Sequence, residues 1–167
     1  MNVSIIVFPG SNCDLDIYNS ILAITNTKPK LIWYTESLPI KTDLIIIPGG
    51  FSFGDYLRSG AIASTSNIVK QIYKLSKKGI PILGICNGFQ ILTETGLLTG
   101  VLLQNKYQKF ICKNVHVKIN DKENKYFKNI KKEILELHIA HNEGNYFCSE
   151  DELKSLNDNN QIAVTYC

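Results

Sequence analysis

The chain has 167 residues, 44% hydrophobic and 20% charged, enough for one domain that buries about 70% of its unfolded surface without staples. Its formal charge of +3 comes from scattered lysines with no interleaved aromatic platforms, which leaves no nucleic-acid footprint. Five cysteines without a Cys-x-x-Cys pair argue against a disulfide framework or a zinc site and for a reducing, cytoplasmic setting; the apolar N-terminal run is too short for a signal-peptide core or a membrane span.

In chain order, Val3 to Phe8 is almost unbroken apolar sequence and reads as a buried strand, ended by the turn residues Pro9-Gly10-Ser11-Asn12. Asp14 caps a predicted helix with Ile17, Ile21 and Ile24 on one face. Leu31 to Tyr34 is a second strand and Leu44 to Ile47 a third, stopped by Pro48-Gly49-Gly50. From Ser66 a helix is expected with Ile68, Ile72 and Leu75 in register, closing on Lys77-Lys78 and Gly79. Ile82 to Ile85 reads as a short, fully buried strand, and a helical pattern with Phe89, Leu92 and Thr93 follows. In the second half, Lys109 to Ile119, Leu135 to Ala140 and Gln161 to Tyr166 are strand candidates, while the Asn/Lys-rich runs at 120–133 and 154–160 read as solvated loops. Alternating strands and helices imply a parallel sheet wrapped on both faces, with ligands gathering at the carboxyl ends of its strands.

Cys86 stands where the fourth strand meets its helix, between Gly84 and Gly88. That is the layout of a nucleophile elbow, because a nucleophile in so tight a turn needs neighbours without side chains. The start of the helix also aims free N–H groups at the sulfur, an expectation that favours thiolate. The competing role is a small buried hydrophobe, the usual fate of a free cysteine. Pro48-Gly49-Gly50-Phe51-Ser52-Phe53-Gly54-Asp55 ends the third strand and in such a sheet would lie beside Cys86. Acyl transfer needs backbone N–H donors about 3 Å from a developing oxyanion, which Gly50 and Asn87 could supply. A plain turn and a phosphate cradle are the alternatives, and the cradle's usual Lys-Ser/Thr is absent.

Gly84-Ile85-Cys86-Asn87-Gly88-Phe89-Gln90 resembles the nucleophile segment of the class I glutamine amidotransferases. The words at 8–14, 48–58 and 60–63 (Phe-Pro-Gly-Ser-Asn-Cys-Asp, Pro-Gly-Gly-Phe-Ser-Phe-Gly-Asp-Tyr-Leu-Arg and Gly-Ala-Ile-Ala) closely resemble the glutaminase subunits of phosphoribosylformylglycinamidine synthases. The likeness runs from residue 1 to 167, taken as a single domain. It implies an α/β, flavodoxin-like, doubly wound and mostly parallel sheet with an added antiparallel section in the second half. It implies that Cys86 attacks the side-chain amide of glutamine, that Gly50 and Asn87 form the oxyanion hole, and that Gly50, Phe51, Gln90, His141 and Glu143 bind glutamine. The released ammonia would pass to a synthetase subunit, joined by a small accessory subunit, for the ATP-dependent conversion of formylglycinamide ribonucleotide to formylglycinamidine ribonucleotide in purine biosynthesis. No metal or cofactor is implied for this subunit; ATP and magnesium belong to the synthetase. A stress-response or small-hydrolase relative with the same elbow is the weaker match.

The resemblance further implies a His-Pro-Glu segment near the C-terminus as base and orienter, and this sequence stops before it, with histidines only at 116, 138 and 141. The expectation is a chain that is C-terminally truncated relative to the family and weak or inactive alone. The alternative function is an impaired amidotransferase-like protein that only binds glutamine or the synthetase. Ala140-His141-Asn142-Glu143-Gly144-Asn145 resembles an Ala-His-Gly-Glu-Gly segment that the subfamily carries besides its triad, which implies pocket lining rather than a base role for His141. His116 and His138 are expected to be satisfied or solvent-facing, Cys13 to pack, and Cys112, Cys148 and Cys167 to be non-catalytic. Asp55 and Arg58 are open between a partner contact and a mutual pair.

Overall fold

A computed structural model describes residues 1–167, which divide into two compact units, Met1–Thr99 and Gly100–Cys167. In the first unit, β1 (Val3–Val7), β2 (Lys30–Trp33), β3 (Leu44–Ile47) and β4 (Ile82–Gly84) form a sheet in the order β2-β1-β3-β4, every pair parallel. Its helices are α1 (Asp14–Thr25), α2 (Ala61–Ser64), α3 (Asn67–Ser76) and α4 (Asn87–Glu94). The unbroken apolar runs are explained by burial on both faces. Ile6, Ile45 and Ile47 pack with Ile68, Val69, Ile72 and Ile91 on one side, whereas Ile5 and Ile46 face Ile17, Tyr18 and Ile21 on the other. This order is that of flavodoxin-like sheets, in which the chain changes direction between β1 and β3 and leaves a crevice at their carboxyl ends.

Within this unit two expectations need correction. The β4 strand is half-buried rather than fully buried, because it occupies a sheet edge. Ile24 of α1 is 81% exposed, so the buried face of that helix stops at Ile21. The α3 pattern holds, with Ile68 and Ile72 fully buried and Leu75 packed against them.

In the second unit, β6 (Ile111–Ile119) lies between β7 (Ile134–His141) and β9 (Val164–Tyr166), antiparallel to both. A separate antiparallel pair joins β5 (Val101–Leu103) to β8 (Asn145–Phe147). The antiparallel addition therefore appears where the second half was expected to carry it. The loop expected at 154–160 is instead mostly the end of α5 (Glu150–Asp158). Ser149 starts that helix: its hydroxyl accepts the Glu152 N–H at 3.3 Å, while the Glu152 carboxylate accepts the Ser149 N–H at 2.8 Å. No helix is long and apolar enough to cross a membrane.

Because Ile45 has no exposed surface, Ile45→Ala should lower stability by about 2–5 kcal/mol in urea unfolding, whereas Ile24→Ala should stay within about 0.5 kcal/mol.

Candidate active site

The elbow between β4 and α4 is set by backbone packing. Ile47 pairs with Gly84 across the sheet, and the Ile85 N–H donates to the Ile47 carbonyl at 3.0 Å. That same carbonyl lies against Gly88 so tightly that a Cβ there would overlap it. A Cβ on Gly84 would come within 2.7 Å of the Gly88 backbone and 2.6 Å of Leu92. Both glycines are thus needed for α4 to start directly over the strand end. Between them Cys86 takes φ 52° and ψ −109°, outside the regions that L-residues populate, at a cost of about 1–3 kcal/mol. Cys86 keeps an exposed surface, unlike a small core hydrophobe, although its neighbours partly desolvate it.

The glycine-rich turn after β3 lies at the same end of the sheet. A methyl group on Gly49 would sit 3.4 Å from the Cβ of Cys86 and 3.5 Å from the Sγ of Cys13. Gly50, at φ 137°, bridges to Ser11 from the end of β1, so the turn closes the crevice between β1 and β3. Phe51 is half-exposed, and its N–H donates to the Gly10 carbonyl at 3.0 Å. Asn87, almost wholly buried, ties this turn to the elbow. Its Oδ1 accepts the Ser52 N–H at 3.1 Å, and its Nδ2 donates to Asp55 at 3.2 Å and to the Gln90 side-chain oxygen at 3.0 Å. Gln90 is itself buried, with that oxygen turned inward to Asn87. Arg58 makes a two-pronged pair with Glu94 of α4, both contacts 2.7 Å, while Asp55 faces Asn87.

The electrostatics depart from expectation. The Asn87 N–H does favour the Cys86 thiolate, but desolvation outweighs it and the Asp55 carboxylate adds to the rise, so the thiol is pushed up from its ordinary value. Cys13 is also pushed up, first by burial and then by Asp16, Cys86 and Asp14. The sequence assigned Cys13 to packing; the structure puts its sulfur on the glycine that borders Cys86, a proximity that no spacing along the chain reveals.

His141 and Glu143 belong to the second unit. His141 Nδ1 lies 3.0 Å from the Oδ1 of Asn105, which also accepts the Gly144 N–H at 3.1 Å. The Asn105 amide donates to the carbonyls of Lys109 at 2.8 Å and of His141 at 2.9 Å. Burial holds the His141 imidazole below its usual range, with a bond to its own backbone opposing that, so it is neutral near pH 7. An open groove of about 560 Å³ runs past Asn105, Ile111, His116, His141 and Tyr166. No three His, Cys, Asp or Glu side chains are grouped to hold a metal ion.

Residues 1–167 match the family described as the CobB/CobQ-like glutamine amidotransferase domain. The chain is 57% identical over 166 residues to a phosphoribosylformylglycinamidine synthase subunit PurQ of Pelagibacter ubique, covering 99% of this chain and 73% of the relative. It is 47% identical to the corresponding Zymomonas mobilis subunit, over 99% of this chain and 76% of the relative. Among solved structures it resembles a chain of PurLQS from Thermotoga maritima, at 43% identity and TM-score 0.80, over 90% of this chain and 70% of that one. A glutamine amidotransferase from Thermotoga maritima, at 21% identity and TM-score 0.60 over 90% of this chain and 64% of that one, shares the fold.

Two outcomes follow from the elbow. Gly88→Ala should displace α4 from the Ile47 carbonyl and lower the unfolding midpoint, whereas Gly79→Ala, with nothing near its Cβ, should cost only the strain of its left-handed backbone. Since the Cys86 thiol is raised from 9.0, it is protonated at pH 7; its alkylation rate should climb up to and beyond pH 9 rather than level off near neutrality.

Proposed function

The chain belongs to the CobB/CobQ-like glutamine amidotransferase family, and on that footing we propose that it is the glutaminase subunit of a phosphoribosylformylglycinamidine synthase. The observation that carries the assignment is the strained, exposed Cys86 facing the Pro48–Gly50 turn at the carboxyl ends of the parallel strands. In this reading the Cys86 sulfur attacks the side-chain carbonyl carbon of glutamine. The tetrahedral oxyanion is met by the N–H groups of Gly50 and Asn87. The carbon–nitrogen bond then breaks, ammonia leaves, and water hydrolyses the glutamyl thioester to glutamate. Ammonia passes to a synthetase subunit for the ATP-dependent conversion of formylglycinamide ribonucleotide to formylglycinamidine ribonucleotide. The name PurLQS of the Thermotoga assembly supports such a partner, and a small accessory subunit with it. The chain's own share of the chemistry calls for no cofactor, ATP and magnesium being used by the synthetase. Five free cysteines support a reducing, cytoplasmic setting.

Gln90 acts in this proposal by orienting Asn87 rather than by holding substrate, because its side-chain oxygen is already engaged. Gly50 and Phe51 border the crevice, and His141 and Glu143 stay as glutamine-binding candidates. A second reading, a protein that binds glutamine or the synthetase without efficient turnover, is favoured by one observation: the unit that carries Cys86 contains no histidine, and its thiol is held protonated. A missing base typically removes about 10²–10⁴ in rate.

The 167 residues are therefore expected to react at Cys86 with a glutamine-like electrophile such as a diazoketone, stoichiometrically and with no labelling in Cys86→Ser. Glutamate release should remain at or below about 10⁻² of a base-assisted rate. Rapid, steady release that is lost in Cys86→Ser would refute the impaired reading and leave the family chemistry standing; absence of Cys86 labelling would remove the amide-hydrolysis assignment.

A further inference from the structure

On the β6–β7 hairpin four polar side chains form a continuous line, separate from the Cys86 unit. Asn114 pairs directly with His138 across the strands, whereas Cys112 and Glu136 pair with Ala140 and His116. Each contact beyond the central pair thus follows the same diagonal of the antiparallel ladder, where side chains two residues off register still meet. Asn114 Nδ2 donates to Glu136 Oε1 at 2.7 Å, Asn114 Oδ1 lies 2.9 Å from His138 Nδ1, and His138 Nε2 lies 3.4 Å from Cys112 Sγ.

The direction of every hydrogen in this line is fixed from one end. A carboxylate accepts only, so Glu136 must receive the amide NH₂ of Asn114. That turns the Asn114 carbonyl oxygen toward His138, and an amide oxygen also only accepts. Nδ1 of His138 therefore carries the proton, and the lone pair of a neutral imidazole is left on Nε2, aimed at the Cys112 thiol. The result is a nucleophile, a base within reach of its proton, and a group orienting the base, the arrangement that activates cysteine in unrelated proteins. Cys112 and His138 are both exposed, so a small reagent can approach the sulfur. No spacing along the chain points to this line, since the four residues fall on two strands 22 to 26 positions apart.

We propose that Cys112 is a second reactive thiol of this chain, assisted by His138, and that it takes small-molecule disulfides to form a mixed disulfide. Cys112 sulfur attacks one sulfur of the disulfide RS–SR as His138 Nε2 receives the thiol proton. The new S–S bond forms, the old one breaks, and the departing thiolate leaves as RSH with the proton from the imidazolium. No oxidant beyond the disulfide is consumed.

The test compares Cys112 with itself. Site-resolved mass spectrometry follows its labelling by iodoacetamide, and its glutathionylation by oxidised glutathione, in the folded chain, in urea and in variants. Folded Cys112 should react about tenfold faster than in the unfolded chain. His138→Gln should remove that advantage, and Asn114→Ala, which leaves the imidazole in place but unoriented, should remove part of it. Labelling of Cys167, exposed on the neighbouring strand end, should be unchanged in both variants and so reports that the sheet is intact. Equal rates in folded and unfolded chain, or an undiminished Cys112 rate in His138→Gln, would overturn the proposal.

Discussion

The contact between the Ile47 carbonyl and Gly88 is the constraint on which the site depends. It fixes how close α4 comes to the end of β3, and the Ile85 N–H bond to the same carbonyl fixes where β4 stops. Between those two anchors the chain has only Cys86 and Asn87, and since Asn87 already begins α4, Cys86 must take a conformation that an L-amino acid ordinarily avoids. Cys86 is held out at the carboxyl end of the sheet because packing on both sides leaves the backbone no alternative. The sheet bears this strain because its central strands are close-packed isoleucine, buried from both faces.

Asn87 then converts a position into a site. One buried amide joins the first turn of α4 to the loop after β3 through Ser52, Asp55 and Gln90. Such a link holds the loop after β3 and the turn at Cys86 together, the kind of fixed placement that pre-organised stabilisation of a developing charge requires. The same loop introduces a carboxylate beside the sulfur, and with desolvation this outweighs the pull of the helix N–H on the thiol. The backbone thus presents the sulfur at the strand ends, while burial and the nearby carboxylate hold it as the thiol.

What the sequence made legible was whatever short-range order controls. The apolar runs of β1 and β3, the Gly-x-Cys-x-Gly elbow and the end of α3 at Lys77-Lys78-Gly79 each carry their cause within a few residues. The polar helix α5 was missed because its apolar face is nearly absent, although Ser149 and Glu152 stood at capping-box spacing. The exposure of Ile24 and the half-burial of β4 depend on where an element lies in the sheet, which periodicity does not encode. Cys13 beside Cys86, the inward Asn87 and the four-residue line ending at Cys112 are products of register between distant segments. No local pattern announces them.

Asn105 shows how much can rest on which atom of a side chain is nitrogen. Its amide donates to the carbonyls of Lys109 and His141 while its oxygen accepts from Gly144 and faces His141 Nδ1. An aspartate would have the same shape, yet it would turn acceptors toward two carbonyls that are acceptors already. Spontaneous deamidation at this position, in which the amide nitrogen leaves as ammonia and an oxygen from water takes its place, would therefore act as a chemical ageing reaction, loosening the His141 turn with almost no change in volume.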